Sequence, residues 1–564
     1  MIHVVARSEQ SKALFLERNN SLVSHIVVEL NQRSYFYFLN HIITNAHDDY
    51  ACIVNDDVIL CSDFNEKITD LLSTLNRDWP SWGIAGNAGI IPYMVGYAPT
   101  QMIRYLADHH GGPNFIGQIL PAMNIDGNVM LLNVKALRER KVRMPDFDGF
   151  LLHDIILSIE TISSGLGVFI APHLACWNGS EDNQNHFDQA ADAASFRSYL
   201  SMRIKNRRLL TTKGTIKSVF NRDNLTSGAD IEIESLKSAC KYRPSRTVAI
   251  IVRTQFKRPD LLDRCLRTIS AFIAASGSLV EFKNYIVTDS APPSNFIVNS
   301  VILQAQLEHQ DTRYKLVQFA ANNIDADYFW FVDDDDWMFP NEAERLSMVI
   351  SSAPENSVFF VDSCRYYETK FPTGDMNMVE SYRSIKQQYF PAQRFICSLS
   401  GQNETPFCSV IFSRSSLLSI QDITYEKITY LEDYMTILNV LLTNGSIPII
   451  VNKMYVGISI RETGNTITEV DRTKWNRSMS ELVSSLVNSS SYSQMLSLPL
   501  NKICCDNMNY DDVARIKAEL DMITSSRSWR ITRPMRGVMR LIRGQLTLKD
   551  FASRVRNILI AQRR

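Results

Sequence analysis

At 564 residues the chain exceeds one ordinary hydrophobic core, and 45% apolar with 21% charged residues describes a globular protein of two or more domains. A formal net charge of −1 excludes a nucleic-acid binder working by overall charge. Ten scattered cysteines without a C-x-x-C pair, of which Cys504 and Cys505 alone adjoin, argue against a zinc site or disulfide framework and for a reducing compartment. The opening MIHVVARSEQ lacks a signal-peptide layout and no apolar run approaches the roughly eighteen residues that span a bilayer, so a cytoplasmic protein is expected, attached at most to a membrane surface.

In chain order, Ile2-His-Val-Val-Ala predicts an opening strand and Ile26-Val-Val-Glu29 a second. Asp49-Tyr-Ala-Cys-Ile-Val-Asn55-Asp56-Asp57 is an apolar run ending in acids, the pattern of a buried parallel strand delivering its carboxyl end to a site. Val129-Met-Leu-Leu is a further strand, and His153-Asp154 starts an apolar helical run. The segment from about 201 to 246 is polar and basic and reads as a connector.

Beyond it, Val248-Ala-Ile-Ile-Val-Arg-Thr254 predicts a buried strand, and Pro259 to Ile269 a helix with proline in its first turn. Tyr285-Ile-Val-Thr-Asp289 is a strand ending in an acid, broken by Ser290-Ala-Pro-Pro. The most informative stretch is Tyr328-Phe-Trp-Phe-Val-Asp333-Asp334-Asp335-Asp336-Trp337. Four consecutive carboxylates repel one another, and burial raises their pKa values unless a cation compensates. Oxygen ligands with no Cys or His cluster suit Mg²⁺ or Mn²⁺ rather than zinc; the alternative is a solvated acidic turn. Glu432-Asp433 then opens a helix with Tyr434, Ile437, Leu438, Leu441 and Leu442 at helical spacing. Asn444-Gly445 stops it and Ile447-Pro-Ile-Ile-Val resumes a strand. A carboxylate at a helix start is favoured by the dipole and is expected to stay ionised, as a base must; the alternative is a plain helix cap.

The chain repeats itself. The run at 49–57 matches 327–335 at an offset of 278, Val129-Met-Leu-Leu matches Val410-Ile-Phe-Ser at 281, and His153-Asp154 matches Glu432-Asp433 at 279. Ordered matches at nearly constant offset predict two copies of one α/β domain, over 1–200 and 247–475, each a mostly parallel sheet with helices on both faces. Residues 476–500 are Ser-rich. From Arg527 to Arg564 eleven basic residues face one acid, Asp550, and Met535, Val538, Met539 and Ile542 recur at helical spacing. The 476–564 tail therefore reads as a basic amphipathic, membrane-surface element, with a solvated helix packing one face on the body as the alternative.

VAIIVRTQFKRPDLLDRCLRTI, YFWFVDDDDWMFPNEAERL and YLEDYMTIL together resemble the family 2 glycosyltransferases of the GT-A fold: their nucleotide-binding strand and helix, D-x-D strand and acceptor-side helix. The resemblance implies inverting sugar transfer from a nucleotide-diphosphate donor, with uridine as the base by family habit. It implies Thr254 and Asp289 at the nucleobase, Asp333 and Asp334 at the ribose and diphosphate, and Asp335, with Asp333, on Mn²⁺ or Mg²⁺. Asp433 is the implied base and Glu432 orients the acceptor. Where many relatives carry a histidine, this chain has Arg461-Glu462, so Arg461 is expected to hold the diphosphate.

The first copy resembles the family more loosely: Asn55 replaces the leading aspartate, Asp56 would face the donor, Asp57 the metal, and Asp154 would be the base. Asn124-Ile-Asp126-Gly resembles an acceptor-side loop, and Trp177-Asn178 stands where relatives often have two histidines. Either both copies are active, making the chain bifunctional, or the first only binds glycan or buttresses its neighbour. The ending Ser526-Arg-Ser-Trp-Arg-Ile-Thr-Arg-Pro resembles that of bacterial surface-polysaccharide transferases, implying an O-antigen or capsule acceptor on a lipid carrier at the inner membrane face. A phosphatase, a nucleotidyltransferase and a glycan-binding scaffold are the rival readings.

Overall fold

The computed structural model describes residues 2–461, apart from 31–33, 97–99, 109–111, 116, 179–189, 191–192, 204–207, 218–230, 241–245, 295–299, 307–312, 372–380, 400–403, 421–430 and 443–445, and also describes Ser478. The predicted helix stop at Asn444-Gly445, the Ser-rich stretch apart from Ser478, and the basic tail lie outside the described residues.

The first half contributes β1 (Ile2–Ala6), β2 (Ile26–Leu30), β3 (Tyr50–Asn55), β4 (Trp82–Gly86), β5 (Ala88–Val95), β6 (Leu120–Pro121), β7 (Asn124–Ile125), β8 (Val129–Asn133) and β9 (Gly167–Ile170). Its helices include α1 (Glu9–Arg18), α2 (Tyr35–Asn45), α3 (Val134–Glu139) and α4 (His153–Ser163). The second half contributes β10 (Arg246–Arg253), β11 (Val280–Thr288), β12 (Val301–Gln304), β13 (Tyr328–Asp333), β14 (Ser357–Phe371), β15 (Val410–Ser413) and β16 (Ile447–Arg461). Its helices include α5 (Pro259–Ala275), α6 (Arg313–Asn323), α7 (Arg414–Leu418) and α8 (Glu432–Leu442).

Two large sheets form, each mixing parallel and antiparallel strands. The first runs β2-β1-β3-β8-β4-β9-β6 and the second carries the path β12-β11-β10-β13-β15-β14-β16. Six strands of each sheet match in order and direction. A central strand (β1, β10) lies parallel to both the next strand (β2, β11) and the acidic one (β3, β13). An antiparallel strand (β8, β15) follows, and the last two strands are parallel to each other.

Register refines two sequence matches. Asn133 lies opposite Tyr50, as Ser413 lies opposite Tyr328, so Met130–Asn133 rather than Val129–Leu132 corresponds to Val410–Ser413. Both terminal residues then cap a helix, since the Asn133 side chain accepts the Ala136 N–H at the start of α3 and the Ser413 hydroxyl accepts the Ser416 N–H at the start of α7. Likewise Val5 opposes both Asn55 and Glu29, while Arg253 opposes both Asp333 and Val287. Glu29 therefore matches Val287, and the position of Asp289 corresponds to residue 31, outside the described residues.

The alternation of the strands explains the layers. Ile53, Met130, Leu132 and Val168 pack with α2 and α4, whereas Cys52, Val54, Leu131 and Phe169 pack with Phe15 of α1 and with Leu71 and Leu75 of the helix Phe64–Asp78. The first sheet thus has helices on both faces, as its pattern predicts. The halves also share a sheet: β5 pairs with β16 through Val95 and Ile449, and β7 pairs with β5. The segment 201–246, expected to be a connector, carries a hairpin (Arg208–Thr211 with Gly214–Lys217) and a helix, Ile231–Cys240, that contributes Leu236 and Cys240 to the shared core.

Candidate active sites

In the second half the strand tips converge. β13 ends at Asp333, beside Arg253 at the end of β10, and Arg461 closes β16. Three arginines hold the carboxylates, Arg258 bridging two of them. Arg253 Nη2 donates to Asp333 Oδ1 at 2.6 Å, and Arg258 Nη1 to Asp335 Oδ2 at 2.5 Å, while Arg258 Nη2 also pairs with Asp334. Arg461 Nη2 donates to the same Asp335 Oδ2 at 2.7 Å. The cationic compensation that the acidic run demands is thus supplied by guanidinium groups. Burial still pushes Asp334 up to about 6 against the pull of Arg258, and raises Asp335. At Asp333 burial is outweighed by Arg253, which holds the carboxyl below its usual range.

The predicted residues fall into different places around this tip. Thr254 is buried and its Oγ1 donates to Asp334 Oδ2 at 2.7 Å, so it orients the acid directly. Asp289 lies just beyond β11, accepting from Gln255 Nε2 at 3.1 Å. Asp336 is buried, accepts the Ser459 N–H at 3.0 Å, and is pushed well above the carboxylate range by burial. Arg264 lies over the Trp337 ring at 4.5 Å and donates to the Asp335 carbonyl at 2.7 Å and to Glu368 at 2.9 Å.

Helix α8 starts after Leu431, whose φ of 71° is strained for a branched side chain. Glu432 is buried and pushed up to about 7 by desolvation, restrained by Arg313 of α6 at 3.3 Å. Asp433 accepts the Tyr434 N–H at 2.7 Å. Burial, reinforced by Asp333, raises its pKa in spite of Arg253 and Arg313. Arg253 links the elements, since it pairs with Asp333 and its charge is felt at both Glu432 and Asp433.

The first half repeats this plan with other side chains. Leu152, with φ 65°, precedes α4 as Leu431 precedes α8. Asp154 accepts the Ile155 N–H at 2.8 Å and the Gly127 N–H at 2.9 Å, and burial raises its pKa. Arg7 Nε donates to Asp56 Oδ1 at 2.9 Å and its Nη2 to Asp57 Oδ2 at 3.2 Å. Burial opposes the charge of Asp56 but Arg7 lowers its pKa overall, whereas for Asp57 desolvation wins and the pKa rises.

Four charged positions of the second half are neutral here. Val5 stands for Arg253 and Asn55 for Asp333. Tyr35 opens α2 where Arg313 opens α6, and His153 precedes Asp154 where Glu432 precedes Asp433. Tyr35 Oη donates to Asn55 Oδ1 at 2.7 Å while its ring stacks on His153 at 3.9 Å. Burial pushes His153 down to about 4, so its ring is neutral at neutral pH. The site is closed by Asp126, which accepts from Thr212 of the hairpin at 3.0 Å, and by Asn178, which donates to Asn128 at 3.0 Å. Lys213 beside Thr212 lowers the Asp154 pKa.

Arg7, Tyr35, Arg253, Arg258, Arg264, Arg313 and the hairpin are absent from the sequence-based site. The signal for Arg253 and Arg258 is the basic run VRTQFKR that ends the opening strand of the second half; nothing local marks Arg7, Arg264, Arg313, Tyr35 or Thr212. Among the described residues no three His, Cys, Asp or Glu side chains gather as a metal cage. A hard divalent cation sharing its ligands with a diphosphate nevertheless fits the carboxylate donors, and buried Asp57 Oδ1 has no hydrogen-bond partner.

No family model and no curated relative matches the sequence. Among solved structures the chain is similar to S. aureus TarS, at 14% identity and a TM-score of 0.30 over 50% of this chain and 44% of that one. It thus spans less than half the length of that protein. TarS 1–349 aligns at 15% identity and a TM-score of 0.31, over 52% of this chain and 78% of its own. TarS 1–349 in complex with UDP-GlcNAc aligns at 13% and 0.31, over 47% and 72%. No helix among the described residues is long and apolar enough to cross a membrane.

Proposed function

We propose that the chain is a glycosyltransferase built from two tandem GT-A-like domains, each moving a sugar from a nucleoside-diphosphate donor to a growing, lipid-linked bacterial surface polysaccharide. The observation that carries this reading is the double occurrence of one arrangement: an arginine-capped acidic strand tip beside a half-buried aspartate two residues after a left-handed leucine. In the reaction Asp433 or Asp154 takes the proton of an acceptor hydroxyl. The hydroxyl oxygen then bonds to the anomeric carbon from the side opposite the diphosphate, the carbon–diphosphate bond breaks, and the nucleoside diphosphate leaves with the electron pair. A base raised from the ordinary carboxylate range is better matched to a hydroxyl proton than an unperturbed one.

Arginines around the tip stabilise charge developing on the leaving group, with Arg461 among them, and Glu432 orients the acceptor. When bound, Mg²⁺ or Mn²⁺ held by Asp335 and Asp333 in one half and by Asp57 in the other would neutralise part of that charge. Thr254 and Asp289 line the nucleobase end, with Asp334 and Asp56 supporting the donor. The basic tail holds the enzyme at the membrane surface.

A second reading, in which the first half only binds glycan, is favoured by its neutral Tyr35–His153–Asn55 bridge in place of the charged network. The test is a panel of nucleotide sugars followed by thermal shift with and without Mn²⁺, on wild type and on Asp335→Ala and Asp57→Ala. A nucleotide sugar should stabilise wild type with Mn²⁺, and each variant should lose one component of the response. No response from any sugar in wild type would sink the reading. Loss in Asp335→Ala alone would leave only the second half as an enzyme.

A further inference from the structure

We infer that Arg258 and Arg7 are exchangeable caps on the two acidic tips, released to the donor's diphosphate when a cation takes their carboxylates; this rests on the glycosyltransferase reading above. Each arginine spans two consecutive acids. Arg258 pairs with Asp334 and, at 2.5 Å, with Asp335; Arg7 pairs with Asp56 at 2.6 Å and Asp57 at 3.2 Å. They do not occupy the same place in the chain. Relative to the matched strand residues Val5 and Arg253, Arg7 follows by two residues and Arg258 by five. Two different loops therefore arrive at one contact, which a fortuitous ion pair would not require.

Exposure separates these arginines from the fixed ones. The side chains of Arg7 and Arg258 are 63% and 36% exposed, whereas those of Arg253 and Arg461 are 8% exposed. The buried pair cannot leave without stranding a charge in the interior. The exposed pair can turn to a new anion while staying solvated. A divalent ion needs the carboxylate oxygens that these guanidiniums hold. At Asp335 Oδ2 it would be a third cation beside Arg258 and Arg461, and at Asp57 it would stand beside Arg7, so the added repulsion favours departure of the more exposed arginine. A diphosphate offers that group the bidentate anion it has lost. Cation and nucleoside diphosphate therefore bind together more strongly than either alone.

The experiment titrates full-length protein with Mn²⁺ alone, read as loss of the free-ion electron paramagnetic resonance signal, and with UDP at saturating Mn²⁺ by calorimetry. Wild type, Arg258→Ala, Arg7→Ala and Arg258→Lys are compared. Freed carboxylates should bind Mn²⁺ alone about tenfold more tightly in either alanine variant, and UDP should bind about tenfold more weakly at the altered half, the loss of one charge-assisted hydrogen bond. Arg258→Lys, which keeps the charge but not the fork, should fall between, and it carries the test should the alanine variant fail to fold. UDP affinity unchanged in the variants, or Mn²⁺ alone bound no more tightly, overturns the exchange while leaving the enzyme reading intact. Wild type that takes up no UDP with Mn²⁺ overturns both.

Discussion

Asp433 and Asp154 occupy the same place in their halves but keep different company. Asp433 is surrounded by Glu432, Arg253 and Arg313, while Asp154 has a neutral imidazole beside it and Lys213 as its cationic neighbour. Replacing either aspartate by asparagine removes a proton acceptor with little change in shape. Asp433→Asn should lower one transfer by about 10²–10⁴-fold and leave the other, with Asp154→Asn the mirror image, as product analysis of each linkage will show. Loss of both activities in one variant would refute independent sites. Glu432 offers a second measurement. Its folded pKa of about 7 lies above the ordinary 4.5, so between those values the folded chain holds a proton that the unfolded chain has released. Stability from this group is present below about pH 4.5 and declines as pH rises towards 7. Denaturant titrations of Glu432→Gln should lack that decline; an unchanged profile would assign it to another group.

At the scale of elements, each site depends on where strands end. β16 runs alongside β14 to bring Ser459 to Asp336 and Arg461 to Asp335, and Gly457 lets it pass the Trp337 ring. A Cβ on Gly457 would lie 2.3 Å from the indole, and that ring in turn lies under Arg264, which holds the Asp335 carbonyl and Glu368. Gly457→Ala should therefore cost about 1–3 kcal/mol of stability by overpacking, seen as a lowered denaturant midpoint, and should weaken UDP binding as well. A full-strength midpoint would mean that the ring moves aside freely. The hairpin Arg208–Lys217 has a corresponding role in the first half. Thr212→Ala removes one of the donors to Asp126, leaving Asn128 Nδ2 at 2.9 Å, and should reduce the first transfer by several-fold without touching the second.

The two halves of the molecule are joined by main-chain pairing as well as by chain connection. β5 of the first half lies against β16 of the second, and residues from both halves fill one core, from Ile53 and Met130 to Trp330 and Val451. Opening one half would strip the other of a neighbouring strand and of packed apolar surface, so the halves should unfold together. Calorimetry of Asp57→Ala and Asp335→Ala proteins should show the halves melting in one shared transition. Two separate transitions, each shifted by its own variant, would mean that the shared sheet contributes little.

Much of the architecture could be read from residue order. Apolar runs of β-branched and aromatic residues ending in acids marked β3 and β13; proline at the first turn marked α5; helical spacing marked α8. The matched runs at 49–57 and 327–335 fall on strands that occupy the same position in their two sheets, because strands buried in the same way need the same pattern. The acids and the two candidate bases were likewise evident as residue types at particular places. The tertiary structure decided what those acids experience, because their partners come from loops and strand ends distant in the chain: Arg461 lies 126 residues from Asp335, and Thr212 lies 86 from Asp126. Pairing registers, the exchange of a charged bridge for a stacked aromatic one, and the strand shared between halves likewise depend on contacts across the fold. Local propensity carries no information about such contacts, since a residue's charge state is set by whatever packs against it.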